Sequence, residues 1–107
     1  KAAGKTIVDV SNAEPNVLYT EKWRGKPVFV LKKTKEMVEK QAEIETKRDV
    51  VINGEHFMVC VGLCTHLGCI PAYRPDTHDF LCPCHGGEFT ASGIDKKSPP
   101  PLPLLIP

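Results

Sequence analysis

Apolar positions along the chain gather in short runs, and Gly, Pro, Asn and Asp punctuate them, a pattern that predicts short strands joined by tight turns. Ile7-Val8-Asp9-Val10 is the first β-prone run, and Ser11 to Asn16 supplies turn chemistry. Val17 to Trp23 reads as a second strand, and Arg24-Gly25-Lys26-Pro27 turns the chain into the compact apolar run Val28 to Leu31. The period then changes. Thr34 can cap a helix over about Lys35 to Glu45, where Met37, Val38 and Ala42 fall near one face while Lys35, Glu36, Glu39, Lys40 and Glu43 make a solvated one. Thr46 to Val51 leads to an Asn53-Gly54 turn, and His56 to Leu63 reads as a buried strand in which Cys60 is a core thiol. His56 and His78 sit beside turn-forming residues and read as surface histidines. A connector from Ile70 to Phe80 contains the turn formers Pro71, Pro75, Asp76 and Asp79, with Asp79-Phe80-Leu81 as a strand; Glu88-Phe89-Thr90 and a turn at Ala91-Ser92-Gly93 follow. The fold class this predicts is all-β, an antiparallel β-sandwich of short strands with one helix inserted.

At 107 residues the chain is one domain with a modest core. Fourteen basic against thirteen acidic residues leave a net charge of +1, which argues against nucleic acid or a strongly anionic membrane surface as the main partner. No apolar run reaches the length of a membrane span and no segment resembles a signal peptide. Lys1 reads as a cut end. The compositional oddity is five cysteines and four histidines in so short a chain.

Most of those residues fall in two boxes, Cys64-Thr65-His66-Leu67-Gly68-Cys69 and Cys82-Pro83-Cys84-His85-Gly86-Gly87. Each offers one Cys and one His close enough to grip a metal centre, and each carries one further Cys. Two Cys and two His alone could close a tetrahedral zinc site, but the surplus cysteines have no role there. A visible spectrum separates the two cases, since zinc is colourless.

The paired pattern resembles the Rieske iron–sulfur proteins, and the surplus cysteines match the subgroup found in cytochrome bc complexes. The segment Lys22 to Phe29 resembles the same region of that subunit, and the tail Ser98 to Pro107 lines up with a family segment beside the cluster followed by a final strand. Several expectations follow from the resemblance. Cys64 and Cys82 would be thiolate ligands to one iron of a [2Fe–2S] cluster, His66 and His85 imidazole ligands to the other, and Cys69 and Cys84 a disulfide tying the loops together. Leu67, Gly68, Gly86, Gly87, Phe89, Pro99 and Pro101 would form the cluster environment. Residues 58–94 would be a cluster-binding subdomain on a base made of 1–57 and 95–107. A disulfide would place the domain outside the reducing cytosol, on the periplasmic side of a bacterial inner membrane, held by an amino-terminal membrane helix and hinge that this chain lacks.

Neutral imidazoles in place of two thiolates leave the oxidised centre formally neutral and easier to reduce: roughly −150 to +300 mV against about −400 mV for plant-type ferredoxins. The second imidazole nitrogen lets a proton accompany the electron. The function implied is the electron-transfer subunit of a quinol:cytochrome c oxidoreductase, with cytochrome b, quinol and a c-type cytochrome as partners and His66 and His85 as the quinol contact. The Rieske small subunit of arsenite oxidase is an alternative; a Rieske ferredoxin, which lacks the surplus cysteines, is a weaker one. In high-potential relatives the residue two after the second ligand His is Ser, and the residue two beyond that is Tyr. Gly87 and Phe89 stand there in this chain, and neither side chain can donate a hydrogen bond. Losing two such bonds would lower the potential by on the order of 100–250 mV, which predicts a variant matched to a low-potential quinol such as menaquinol.

Overall fold

The computed structural model describes residues 7–64, 68–84, 86–97 and 102–107. Two tight hairpins organise the first half. β1 (Leu18–Trp23) and β2 (Lys26–Lys32) join through Arg24-Gly25 at φ 53° and 75°. β3 (Val50–Ile52) and β4 (Glu55–Val61) join through Asn53-Gly54 at φ 51° and 80°. Two successive positive φ values turn the chain in the sense that matches strand twist. Arg24 is the unusual residue in such a turn, and its guanidinium lies 5.0 Å from the centroid of the Trp23 ring. The strands form an antiparallel sheet in the order β1-β2-β4-β3.

A second antiparallel sheet follows in simple meander order: β5 (Ala72–Arg74), β6 (Asp79–Leu81), β7 (Glu88–Thr90) and β8 (Asp95–Lys97). The core lies between the sheets. Alternation along β2 and β4 pairs Phe29 with Cys60 and Leu31 with Met58 on one face, and the β6–β7 register pairs Phe80 with Phe89 on the other. All six are at most 1% exposed, and the Phe29 and Phe80 rings stack with centroids 5.3 Å apart. Each such Phe contributes about 1.5–3 kcal/mol on burial. Gly62, which follows β4, is forced by this packing, because a Cβ there would fall 2.4 Å from the Phe29 ring.

The tail is a staple between the sheets. Leu104, fully buried, donates its N–H to Gly93 in the second sheet's last turn (2.8 Å), and the Leu105 carbonyl accepts from Val61 of β4 (2.7 Å). The two sheets therefore divide the strands after Val61, and β8 stays with the second. The final strand expected in the tail does not form among the described residues.

Two other expectations need correction. Ile7 to Val10 belongs to neither sheet, and Ile7 is 97% exposed. The single helix is two short ones, α1 (Lys35–Lys40) and α2 (Glu43–Thr46). Thr34 caps α1 as anticipated, accepting from the Met37 N–H at 3.1 Å, and Met37 is the buried residue while Ala42 is exposed. The break comes at Gln41, whose backbone swings to ψ 155°.

The reason is a buried polar network. Lys33 and Asp49 pair at 2.7 Å with both side chains fully inaccessible. Lys33 also donates to Gln41 Oε1 (2.6 Å) and to Ser92 Oγ, so its three N–H donors meet three acceptors. Asp49 accepts further from Gln41 Nε2 (2.8 Å) and faces His56 Nδ1 (3.0 Å). His56 is therefore not a surface residue; its side chain is 19% exposed and engaged with a buried carboxylate. His78 is half-buried in the β5–β6 turn, where φ is 57° and its N–H donates to the Arg74 carbonyl. Arg48 adds a second layer, with Nε on the Ser92 carbonyl (2.9 Å) and Nη2 on the Leu104 carbonyl and Cys60 Sγ.

Candidate metal centre

Both cysteine boxes hang from the ends of strands that meet in the core. β4 runs through Gly62 and Leu63 into Cys64, and β6 runs directly into Cys82. The two loops close in the same way. In the first, the Cys64 N–H donates to the Cys69 carbonyl (2.6 Å) and the Gly68 N–H to the Cys64 carbonyl (2.8 Å). In the second, the Cys82 N–H donates to the Gly87 carbonyl (2.8 Å) and the Gly86 N–H to the Cys82 carbonyl (2.9 Å). Gly68 and Gly86 sit at φ 76° and 70°, a conformation that costs glycine little and other residues considerably more.

Cys69 and Cys84 form a disulfide across the loops, with Cα atoms 6.5 Å apart. Closing a loop of that length stabilises the fold by about 3 kcal/mol. Cys64 and Cys82 stand outside it as thiols, 3% and 0% exposed, packed in the same core cluster as Phe80, Phe89 and Leu104. The sulfurs of Cys69, Cys82 and Cys84 all lie within 4.8 Å of one another. That trio is no ligand set, because two of its members are bonded to each other.

Of the remaining expected residues, Gly87 is buried and Phe89 is 0% exposed. His66, Leu67, His85, Pro99 and Pro101 lie outside the described residues. Cys60 is buried away from the boxes beside Arg48 and the Ser92 carbonyl. Burial pushes its thiol pKa up against the pull of Arg48, which suits an inert core residue.

The strand that leads into the second loop opens on a charged cluster that the sequence did not reveal. Asp79, at the start of β6, accepts from Arg74 Nε (2.8 Å) and Nη2 (2.7 Å), Thr77 Oγ1 (2.6 Å) and Lys96 Nζ (3.0 Å). Burial alone would push this carboxyl up, but the hydrogen bonds from Arg74, Thr77 and Lys96 and the Lys96 charge outweigh it and bring the pKa to about 2. Sequence reasoning took Asp79 for a turn former. Its place opposite Arg74 in the β5–β6 register was the available signal, and it needed β5 to be recognised first.

The donor set fits an iron–sulfur centre: two buried thiols from separate loops, with the other two loop cysteines consumed in fixing the loops to each other. A family model described as Rieske [2Fe–2S] domain matches residues 7–105. The chain belongs to that family. Members hold a [2Fe–2S] cluster rather than zinc, so the zinc reading falls. Among similar proteins, the "Cytochrome b-c1 complex subunit Rieske, mitochondrial" of Solanum tuberosum is 41% identical over 94% of this chain and 41% of its own length. The "Ubiquinol-cytochrome c reductase iron-sulfur subunit" of Rickettsia prowazekii is 36% identical over 94% of this chain and 62% of its own. A chain of a solved "Hyperthermophilic respiratory Complex III" superposes with a TM-score of 0.68 at 34% identity, covering all of this chain and 67% of that one. The Rieske chain thus spans about two-fifths of the length of the plant relatives it matches. Among the described residues, no helix of this Rieske domain is long and apolar enough to cross a membrane.

Proposed function

We propose that this Rieske domain is the electron-carrying part of a quinol:cytochrome c oxidoreductase, taking an electron and a proton from quinol at a cytochrome b surface and passing the electron to a c-type cytochrome. The observation that carries the proposal is the Cys69–Cys84 bridge between the two loops beside two buried thiols. A Rieske ferredoxin has no need of that bridge. When bound, the cluster supplies a one-electron couple. Cys64 and Cys82 would hold one iron and His66 and His85 the other, and the two imidazoles would supply the nitrogens that contact quinol and accept its proton. The disulfide and the matched loop closures keep the two boxes at a fixed separation, while Phe80, Phe89 and Leu104 exclude water from behind the thiols. The relatives' names support cytochrome b as a partner. Gly87 and Phe89 support a low-potential donor such as menaquinol, and the disulfide supports a location outside the reducing cytosol, such as the periplasmic side of a bacterial inner membrane.

The arsenite oxidase small subunit shares the bridging cysteines, so it is the second reading; the Lys22 to Phe29 segment and the Pro-rich tail favour the first. A chimera decides between them. Residues 1–107 joined to the anchor and hinge of a bacterial cytochrome bc complex should assemble with its cytochrome b and restore quinol-dependent reduction of cytochrome c. A cluster-loaded chimera that assembles but stays inactive with both ubiquinol and menaquinol analogues would overturn the proposal.

A further inference from the structure

The three sulfurs of Cys69, Cys82 and Cys84 are within 4.8 Å of one another, and only two of them can share a bond at a time. Cys82 is a thiol, so a nucleophile and a disulfide stand side by side in one folded loop pair. Exchange of this kind depends on attack by a thiolate along an open approach to either sulfur. The leaving side is accessible, since Cys84 is exposed and Cys69 is half-buried, whereas Cys82 is 0% exposed and shielded from external thiols. The backbone holds Cys82 in place through the Gly87 and Gly86 hydrogen bonds, so the folded loops already start with the three sulfurs within 4.8 Å of one another.

We propose that Cys82 is an internal exchange thiol, and that the metal-free domain isomerises its disulfide onto Cys82. The Cys82 sulfur bonds to the sulfur of Cys84 or Cys69, the original S–S bond breaks, and the displaced sulfur leaves as a thiolate that takes up the proton Cys82 gave away. No oxidant or reductant is consumed. The isomer cannot ligate iron through Cys82, so the same sulfur is contested between metal binding and disulfide isomerism. An iron-held Cys82 is removed from exchange, and this protection arm alone rests on the Rieske assignment.

The test is disulfide mapping, with no activity readout. Purified cluster-loaded protein and the same protein stripped of iron by a chelator under non-denaturing, anaerobic conditions are alkylated, digested and sequenced by tandem mass spectrometry. The loaded protein should show Cys69–Cys84 alone. The stripped protein should show Cys82 bonded to Cys69 or Cys84 in at least a tenth of molecules, with the third cysteine alkylated; Cys82→Ser should abolish every rearranged species. Cys60, held beside Arg48 and the Ser92 carbonyl, reports on unfolding, because scrambling in an open chain would recruit it as readily as Cys82. Stripped protein that keeps Cys69–Cys84 with Cys82 fully alkylated, or that recruits Cys60 equally, overturns the inference. Protein purified without iron and without a visible spectrum would count against the Rieske reading instead, leaving the exchange arm to be scored on its own.

Discussion

Asp49→Asn isolates the energetics of the network that joins the two sheets. The substitution keeps the shape of the side chain but removes its charge, leaving the fully buried Lys33 ammonium with three neutral acceptor oxygens, those of Gln41, Ser92 and the amide at position 49, and no counter-charge. It also turns one acceptor oxygen into a donor that faces Gln41 Nε2 and His56 Nδ1. Removing one partner of a buried ion pair costs about 3–5 kcal/mol. At about 4–8 °C per kcal/mol for a domain of roughly this size, the thermal midpoint should fall by about 12–40 °C. The assay is far-UV circular dichroism melting of the cluster-loaded domain at a fixed scan rate. Adding Lys33→Met should recover part of the loss, since the orphaned charge is then gone, giving a coupling of about 1–3 kcal/mol. Glu36→Gln, which breaks the solvent-exposed Lys40–Glu36 pair, should leave the midpoint where it is. A fall of less than about 5 °C for Asp49→Asn, or strictly additive losses in the double variant, would refute the claim that this pair is energetically dry.

Acid stability should report on Asp79. Its folded pKa of about 2 lies below the ordinary 3.8, so it stabilises the fold above pH 4 and that stability is lost as pH falls from about 4 towards 2; denaturant titrations should show a decline of about 2 kcal/mol there that Asp79→Asn lacks. The cysteines should sort by colour. Cys60→Ser should keep the visible spectrum, while Cys64→Ser or Cys82→Ser should give colourless protein; a colourless Cys60→Ser would mean the ligands are misassigned. Restoring hydroxyl donors with Gly87→Ser and Phe89→Tyr should together raise the midpoint potential by on the order of 100–250 mV in film voltammetry. No movement with either would remove the reason for expecting a low-potential donor.

Features built from neighbouring residues were legible from the sequence. Asn53-Gly54 and Arg24-Gly25 announce hairpins because positive φ is a local demand, and Thr34 announces a cap because its acceptor lies three residues on. The two cysteine boxes and their bridge were legible for the same reason, each box being a short string of residues that carries the family pattern. What sequence reading missed is non-local. Lys33 closes a run of apolar strand residues and looks like a polar end, yet its partners lie 8, 16 and 59 positions away. Gln41 looked like any helical residue, and only those partners explain why it breaks the helix. His56 was assigned to the surface from its neighbours, and the buried Asp49 overrules them. Ile7 to Val10 shows the opposite failure: β propensity without a ladder partner among the described residues is not enough to make a strand.

The two-residue staple at Leu104 and Leu105 makes its hydrogen bonds through main-chain atoms, so side-chain replacement at the exposed Leu105 leaves them available, whereas the Leu104 side chain is itself buried in the core. Sequence drift at position 105 is thereby uncoupled from the mechanical joint the tail makes. The joint is directional as well as cohesive: apolar faces by themselves could shear past each other, whereas an amide of β4 and a carbonyl of the last turn, fixed to adjacent peptide units, set the azimuth of one sheet on the other. Because one cysteine loop follows β4 and the other follows β6, the joint also holds the two loops at a constant attitude to each other.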